Sequence, residues 1–245
     1  DFRPVVNTIY SLVEGNRLYQ PGDYDEELLW FGHKKIDQIP VISIQRKSLG
    51  FNESGFYSLR NEKGFLMTVL QNYKTRPAQM DQQHIDLWHK GVNVLCDSGT
   101  YSYATKIGKM LGLTSAHNTV VFNGMEQMKK RGPFLIYDWT KRLHVNHTTT
   151  SYEGTMYSKN GYEHSRRVEK TNWGYSIIDE VIGNGNGNEC EYYFHTPCEI
   201  KKNLEGFELH YNGELICNVI CKGSIDIKKN YRSLYYLRKE EINSV

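Results

Sequence analysis

The sequence predicts a mainly β protein, a large antiparallel β-sandwich preceded by short helices. Three observations carry that prediction. Short stretches of alternating apolar and polar residues recur after Pro40, turn pairs such as Lys90-Gly91 and Asn123-Gly124 punctuate them, and aromatic residues make up 13% of the chain, with 18 tyrosines. A chain of 245 residues can bury a sizeable core as one large β domain or two small ones.

Residues 1–40 read differently. Apolar residues fall at helical spacing over 5–15 and 24–32, with Asp23 or Asp25 as a cap for the second segment. Two helices this short cannot build a core alone. They are expected to be the tail of a helical domain or a brace on the sheet, and residues 41–245 to form the sandwich.

In chain order, a first hairpin is expected from strands 56–59 and 65–72 around the polar loop 61–64. A second comes from 84–89 and 92–97 around Lys90-Gly91. Further strands are expected at 118–122, 134–139, 142–149, 164–171, 175–183, 191–195, 207–211, 215–221, 224–228 and 234–238. The GNGNGN run 183–188 reads as a turn, since asparagine and glycine accept positive φ. The closing KEEINSV reads as a polar tail.

Polar groups concentrate in residues 76–103, RPAQMDQQHIDLWHKGVNVLCDSGTYSY, and in SAHNTV at 115–120. If the second hairpin keeps the register of its turn, His89 faces Val92, Trp88 faces Asn93, Asp86 faces Leu95 and His84 faces Asp97. Ile85, Leu87, Val92, Val94 and Cys96 then form a core face. His84, Asp86, Trp88, Asn93 and Asp97 form the other. A histidine opposite an aspartate is close enough for a charge-assisted hydrogen bond or a shared metal.

Net charge is +2, which offers no broad basic field for nucleic acid. No apolar run approaches the ~20 residues of a membrane span. Five cysteines without CxxC spacing suit buried free thiols rather than a disulfide framework or a zinc ribbon. The chain opens on Asp1 with neither an initiator methionine nor a signal peptide, so it is expected to be part of a longer polypeptide. Asn52-Glu53-Ser54 and Asn146-His147-Thr148 satisfy the glycosylation pattern.

The 76–103 stretch, followed by AHNTVVFNGMEQM and GPFL, resembles the signature of heparinase II/III-like polysaccharide lyases. HSRRVEK at 164–170, WGYSIIDEV at 173–181 and YYFHTP at 192–197 agree with it. The resemblance implies an N-terminal α/α toroid, of which residues 1–40 would be the tail, followed by a C-terminal β-sandwich, in a periplasmic or extracellular bacterial setting. It also implies β-elimination on uronate-containing acidic polysaccharide: a base removes the proton α to the carboxylate, the carboxylate is neutralised, and an acid protonates the leaving oxygen. Much of that chemistry would come from toroid residues, so this fragment alone is expected to be inactive.

In zinc-binding relatives the metal is held by the histidine of an H-x-D segment, the aspartate of a DSG-type turn and the histidine of AHNT. Asp97 and His117 match the last two. Gln79 stands where the first histidine would be, and His84 is the candidate to replace it. The competing expectation is a metal-free network of Gln79, Asp81, His84, Asp97 and His117. His84 and Tyr101 are the catalytic candidates, and Tyr103 shares the GTYSY segment. Arg76, Gln79, Trp88, Gln127 and Arg166 are the candidates for substrate contact, Arg76 through a guanidinium fork suited to a carboxylate and Arg166 as part of a basic cluster with His164 and Arg167 that suits a polyanion. The second functional class is a non-catalytic module that binds or positions acidic glycan in polysaccharide synthesis or export.

Overall fold

In the computed structural model, residues 2–33, 35–184 and 189–245 are described. They fall into two compact units, residues 1–46 and 47–245. Most of the expected GNGNGN turn lies outside the described residues.

The first unit holds helices α1 (Arg3–Glu14) and α2 (Glu26–Trp30). Pro4 starts α1, and Gly15 in the left-handed region ends it by donating its N–H to Ser11 O. Both helices expected from the spacing are present. Asn7, Thr8 and Ser11 are buried, whereas Val5, Val6, Ile9, Leu12 and Val13 are exposed. Asn7 is held inward by Asp25, whose carboxylate accepts from Asn7 Nδ2, Arg17 Nη1 and the Gly22 N–H, each at 3.1 Å. So occupied, Asp25 does not cap α2 through its side chain.

The second unit is antiparallel β throughout its named sheets. Strands β1 (Gly50–Phe51), β2 (Phe56–Arg60), β3 (Gly64–Val69), β4 (Ile85–His89) and β5 (Val92–Leu95) form one sheet in sequence order. A short helix α3 (Lys106–Met110) leads to β6 (Val120–Phe122) and the pair β7 (Lys129–Gly132) and β8 (Leu135–Tyr137). The meander β9 (Lys141–His147), β10 (Ser151–Ser158), β11 (Tyr162–Lys170) and β12 (Tyr175–Gly183) makes a four-stranded sheet. β13 (Cys190–Tyr192) pairs with β6. β14 (His195–Thr196), β15 (Glu199–Lys202), β16 (Gly206–Tyr211), β17 (Glu214–Ile220), β18 (Lys228–Tyr235) and β19 (Arg238–Ser244) complete two three-stranded sheets. The inward residues of these sheets share one core, including Tyr57, Leu66, Ile85, Phe122, Tyr152, Tyr162 and Phe207.

Several expectations are corrected here. β10 was not expected, because its inward face, Tyr152, Gly154, Met156 and Ser158, carries only two large apolar residues. Residues 224–228 form no strand of their own, and 234–238 contains the turn between β18 and β19. KEEINSV is mostly strand, with Ile242 buried and Ser244 paired to His195. All five cysteines are free, but only Cys96 and Cys198 are buried, and Cys190 is exposed.

Candidate functional site

The β4–β5 hairpin turns at Lys90 (φ 49°) and Gly91 (φ 80°), the paired positive φ values of a type I′ turn. His89 pairs with Val92 and Trp88 with Asn93, as the turn dictates. The register then slips, so that Leu87 rather than Asp86 faces Leu95. The ladder ends before His84 and Asp97, which therefore are not a cross-strand pair. They still meet, with His84 Nε2 3.6 Å from Asp97 Oδ2.

Asn118 makes that approach possible. Its amide nitrogen donates to Ile85 O at 2.7 Å and Cys96 O at 3.1 Å, bridging the two strands where their own ladder has stopped. Its backbone N–H donates to His84 Nδ1 at 2.9 Å, and its Oδ1 accepts the His195 N–H at 2.6 Å. The adjacent His117 places Nδ1 3.1 Å from Asp97 Oδ2. One carboxylate thus lies between two imidazoles, whose rings meet edge to face at 5.5 Å. The Gly99 N–H, at 2.6 Å from Asp97 Oδ1, fixes the other oxygen.

Burial separates the two histidines electrically. Desolvation, countered only in part by Asp97, pushes His84 down to about 3, and His117, His195 and Arg166 add to the fall. Desolvation also opposes charge on His117, but there Asp97, through charge and hydrogen bond, prevails and raises it. Asp97 is held well below the usual carboxylate range, because His117 and His84 outweigh its desolvation. Burial, with the nearby Asp97 charge, pushes Asp86 up to about 7. The side chains of His84 and His117 are 3% and 0% exposed, and that of Asp97 is 38% exposed. Asp97 is the member of the cluster that solvent reaches.

His84, Asp97 and His117 can each bring one ligand atom within 4.8 Å of the others. The donor chemistry nevertheless fits zinc poorly. A backbone N–H can only donate, so Asn118 leaves His84 Nδ1 unprotonated and puts the proton of the neutral ring on Nε2, the atom turned towards Asp97. Zinc there would require an imidazolate, whereas ligating histidines keep a proton on the other nitrogen to donate outward. Gln79 is a poor replacement, since it could offer only a neutral amide oxygen, and its Nε2 is engaged with Gly99 O at 3.1 Å.

The other predicted residues scatter. Tyr101, two residues after Gly99, is half-buried at φ 59°, with its carbonyl accepting the Leu237 N–H at 2.8 Å. Trp88 is 38% exposed and stacks on Phe65. Arg76 is exposed, its guanidinium 5.0 Å from the Phe134 ring centre.

Gln127 and Arg166 are fully buried, which removes both from surface contact with sugar. Gln127 is occupied by Gln82, donating to its carbonyl at 2.8 Å and accepting its N–H at 3.0 Å. Arg166 grips Asp179 at 2.6 and 3.0 Å and donates through Nη1 to Gln83 O and, at 2.9 Å, to Asn118 O. It clamps the residue before His84 to the residue after His117. This positioning role, like that of Asn118, was missed in the sequence. The alternation of β11 held the signal for Arg166, because it puts Arg166 on the face of Tyr162 and Val168.

The heparinase II/III-like C-terminal family model matches residues 44–236. Among solved structures, heparinase III, the BT4657 gene product, is 21% identical with a TM-score of 0.64, over 89% of this chain and 37% of that one. The heparan sulfate lyase HepC from Pedobacter heparinus is 16% identical with a TM-score of 0.69, over 99% of this chain and 38% of that one. At such identities the likeness shows the fold, and this chain spans little more than a third of either protein's length. No curated protein matches it. With the family model spanning most of the sandwich, including the hairpin, Asp97 and His117, the chain belongs to the heparinase II/III-like C-terminal domain family.

Proposed function

We propose that this chain supplies the sandwich wall of a polysaccharide-lyase cleft that acts on uronate-containing acidic polysaccharide by β-elimination. The observation that carries the reading is the preassembled cluster, in which Asp97 reaches solvent while His84 and His117 hold it from behind. Groups buried that deeply position a wall rather than touch a substrate, so the base and acid of elimination come from a facing domain. The exposed apolar stripe of α1 suits packing against such a helical domain. Alone, the chain holds glycan without cutting it.

The test pairs two proteins. The 245-residue chain mixed with heparan sulfate, hyaluronan or alginate should give no unsaturated-uronate absorbance. The same sandwich joined to a toroid should give it, and Asp97→Asn should diminish it. Cleavage by the chain alone would overturn the division of labour.

The burial of both histidines favours one alternative, a non-catalytic module that binds or positions acidic glycan in synthesis or export. Absence of cleavage by the joined protein, with glycan binding retained, would select it. In either reading the cluster is proposed to work without metal. Protein purified without chelator should carry no stoichiometric zinc, and EDTA should leave Tm unchanged; bound zinc with a large Tm loss on chelation would refute this.

A further inference from the structure

The loop that follows Asp97 lines a second recess, together with residues on either side of it. Gln79, Thr100, Tyr103, Lys109, Gly112 and Lys130 line a shallow recess open to solvent, shaped to seat a substituent rather than to enclose a sugar ring. Two lining groups are cations and no lining group is acidic.

Among the described residues neither Lys109 nor Lys130 forms an ion pair, unlike neighbouring Lys129, which binds Asp138 at 2.8 Å. The Lys130 ammonium lies over Gly112, where a Cβ would stand 2.7 Å from Nζ. A side chain there would push the ammonium out of the recess. Partial burial already lowers the Lys130 pKa, with Glu126 only partly offsetting it. An ammonium held in a recess without an ion-pair partner is an arrangement that a bound anion relieves.

The rim adds ring faces. Tyr103 lies 4.9 Å from Phe134 and 6.0 Å from Tyr236, ring centre to ring centre, and Arg76 covers Phe134. Gln79 joins recess and cluster, because the Gly99 carbonyl it binds belongs to the turn whose N–H holds Asp97.

We propose that Lys109 and Lys130 form a subsite for the anionic substituent, carboxylate or sulfate, of an acidic sugar unit whose ring rests against Tyr103. The proposal rests on the reading of the sandwich as a glycan-binding wall and names where on that wall charge is recognised. Lys109 is exposed, and Lys130 is half-buried, the more enclosed of the two. Their shared recess sets the anion beside, rather than on, the Asp97 carboxylate, which would repel it.

The test uses the whole chain and three probes: a sulfated heparan tetrasaccharide, its desulfated counterpart and uncharged cellotetraose. Calorimetry should show the Lys109→Gln/Lys130→Gln protein binding the preferred acidic probe about tenfold more weakly than the unaltered chain, and Lys129→Gln binding it within about twofold. Mass spectrometry after brief lysine acetylation should show the probe protecting Lys109 and Lys130 but not Lys129. Binding of both acidic probes assigns the carboxylate; binding of the sulfated one alone assigns sulfate. Undiminished binding by the double variant, or unprotected lysines under bound probe, overturns the subsite and leaves the glycan-binding wall standing. Failure of the unaltered chain to bind either acidic probe, or equal binding of cellotetraose, overturns both.

Discussion

Replacing Asp179 by asparagine should cost this protein more than any single change at the surface of the site. Asp179 is 4% exposed and Arg166 1%, and their bidentate contact at 2.6 and 3.0 Å is the counter-charge for the guanidinium. Asparagine keeps the shape, and its Oδ1 can still accept from His164 Nε2, which lies 2.6 Å from Asp179 Oδ1. What it removes is the charge, leaving a cation buried with only neutral partners. Breaking one side of a buried pair costs about 3–5 kcal/mol. In a chain of this size each kcal/mol shifts Tm by about 2–4 °C, so the expected fall is about 6–20 °C. The double variant Arg166→Met/Asp179→Asn should recover much of that loss, because no uncompensated charge remains. Thermal and denaturant unfolding of the two single variants and the double complete the cycle. A loss below about 1 kcal/mol for Asp179→Asn, or a double variant no better than the single, would refute the clamp.

Two further outcomes follow from the same geometry. Gly99→Ala should destabilise by at least about 2 kcal/mol, because a Cβ there meets Ser233 O at 2.1 Å and φ is +69°; Gly91→Ala, with φ +80° and no atom within 4 Å, should cost only about 1 kcal/mol, and equal costs in urea unfolding would contradict the contact. His195, pushed down to about 4 chiefly by burial, takes up a proton in the unfolded chain before the folded one, so its contribution is lost as pH falls below 6.5 towards 4. Between pH 7 and about 4.5 the unaltered chain should lose about 2 kcal/mol more stability than His195→Gln, and parallel pH profiles of the two would refute this.

How much of this was legible in the sequence depended on whether local alternation or tertiary context decided the outcome. The turn pairs and the period-2 runs gave most strands, and β12 falls on the expected residues 175–183. β10 escaped because glycine and serine fill half of its inward face; Gly154 is small because the Tyr152 hydroxyl and Leu70 already occupy its Cβ space. β11 shows the opposite error. Its alternation was plain, but His164 and Arg166 were read by their charge rather than by their phase, and the phase was correct. The meeting of His84, Asp97 and His117 was anticipated, for a reason only half right: the register slips between Leu87 and Trp88, and the side-chain amide of Asn118, just before β6, closes the gap. No local pattern announces such a bridge, since the partners of Asn118 are 22 to 77 residues distant.

Hydrogen bonding explains why two histidines around one carboxylate differ. Burial opposes charge on both rings, and His117 has both a hydrogen bond and the charge of Asp97 to offset it, whereas His84 has only the charge, with Arg166 adding to its fall. With Asn118 donating to Nδ1, His84 is confined to the neutral Nε2–H form. The proton that Asp97 attracts therefore goes to His117, the ring that carries its own hydrogen bond to Oδ2. A hydrogen-bonded imidazole on one side, a neutral ring 3.6 Å away on the other and the Gly99 N–H leave Asp97 with a fixed orientation and a negative charge, presented through its exposed edge. Such a carboxylate repels a second anion at contact distance and accepts hydroxyl hydrogen bonds well. A glycan bound as proposed would then set sugar hydroxyls against Asp97 and carry its charge elsewhere, as the proposed subsite at Lys109 and Lys130 requires.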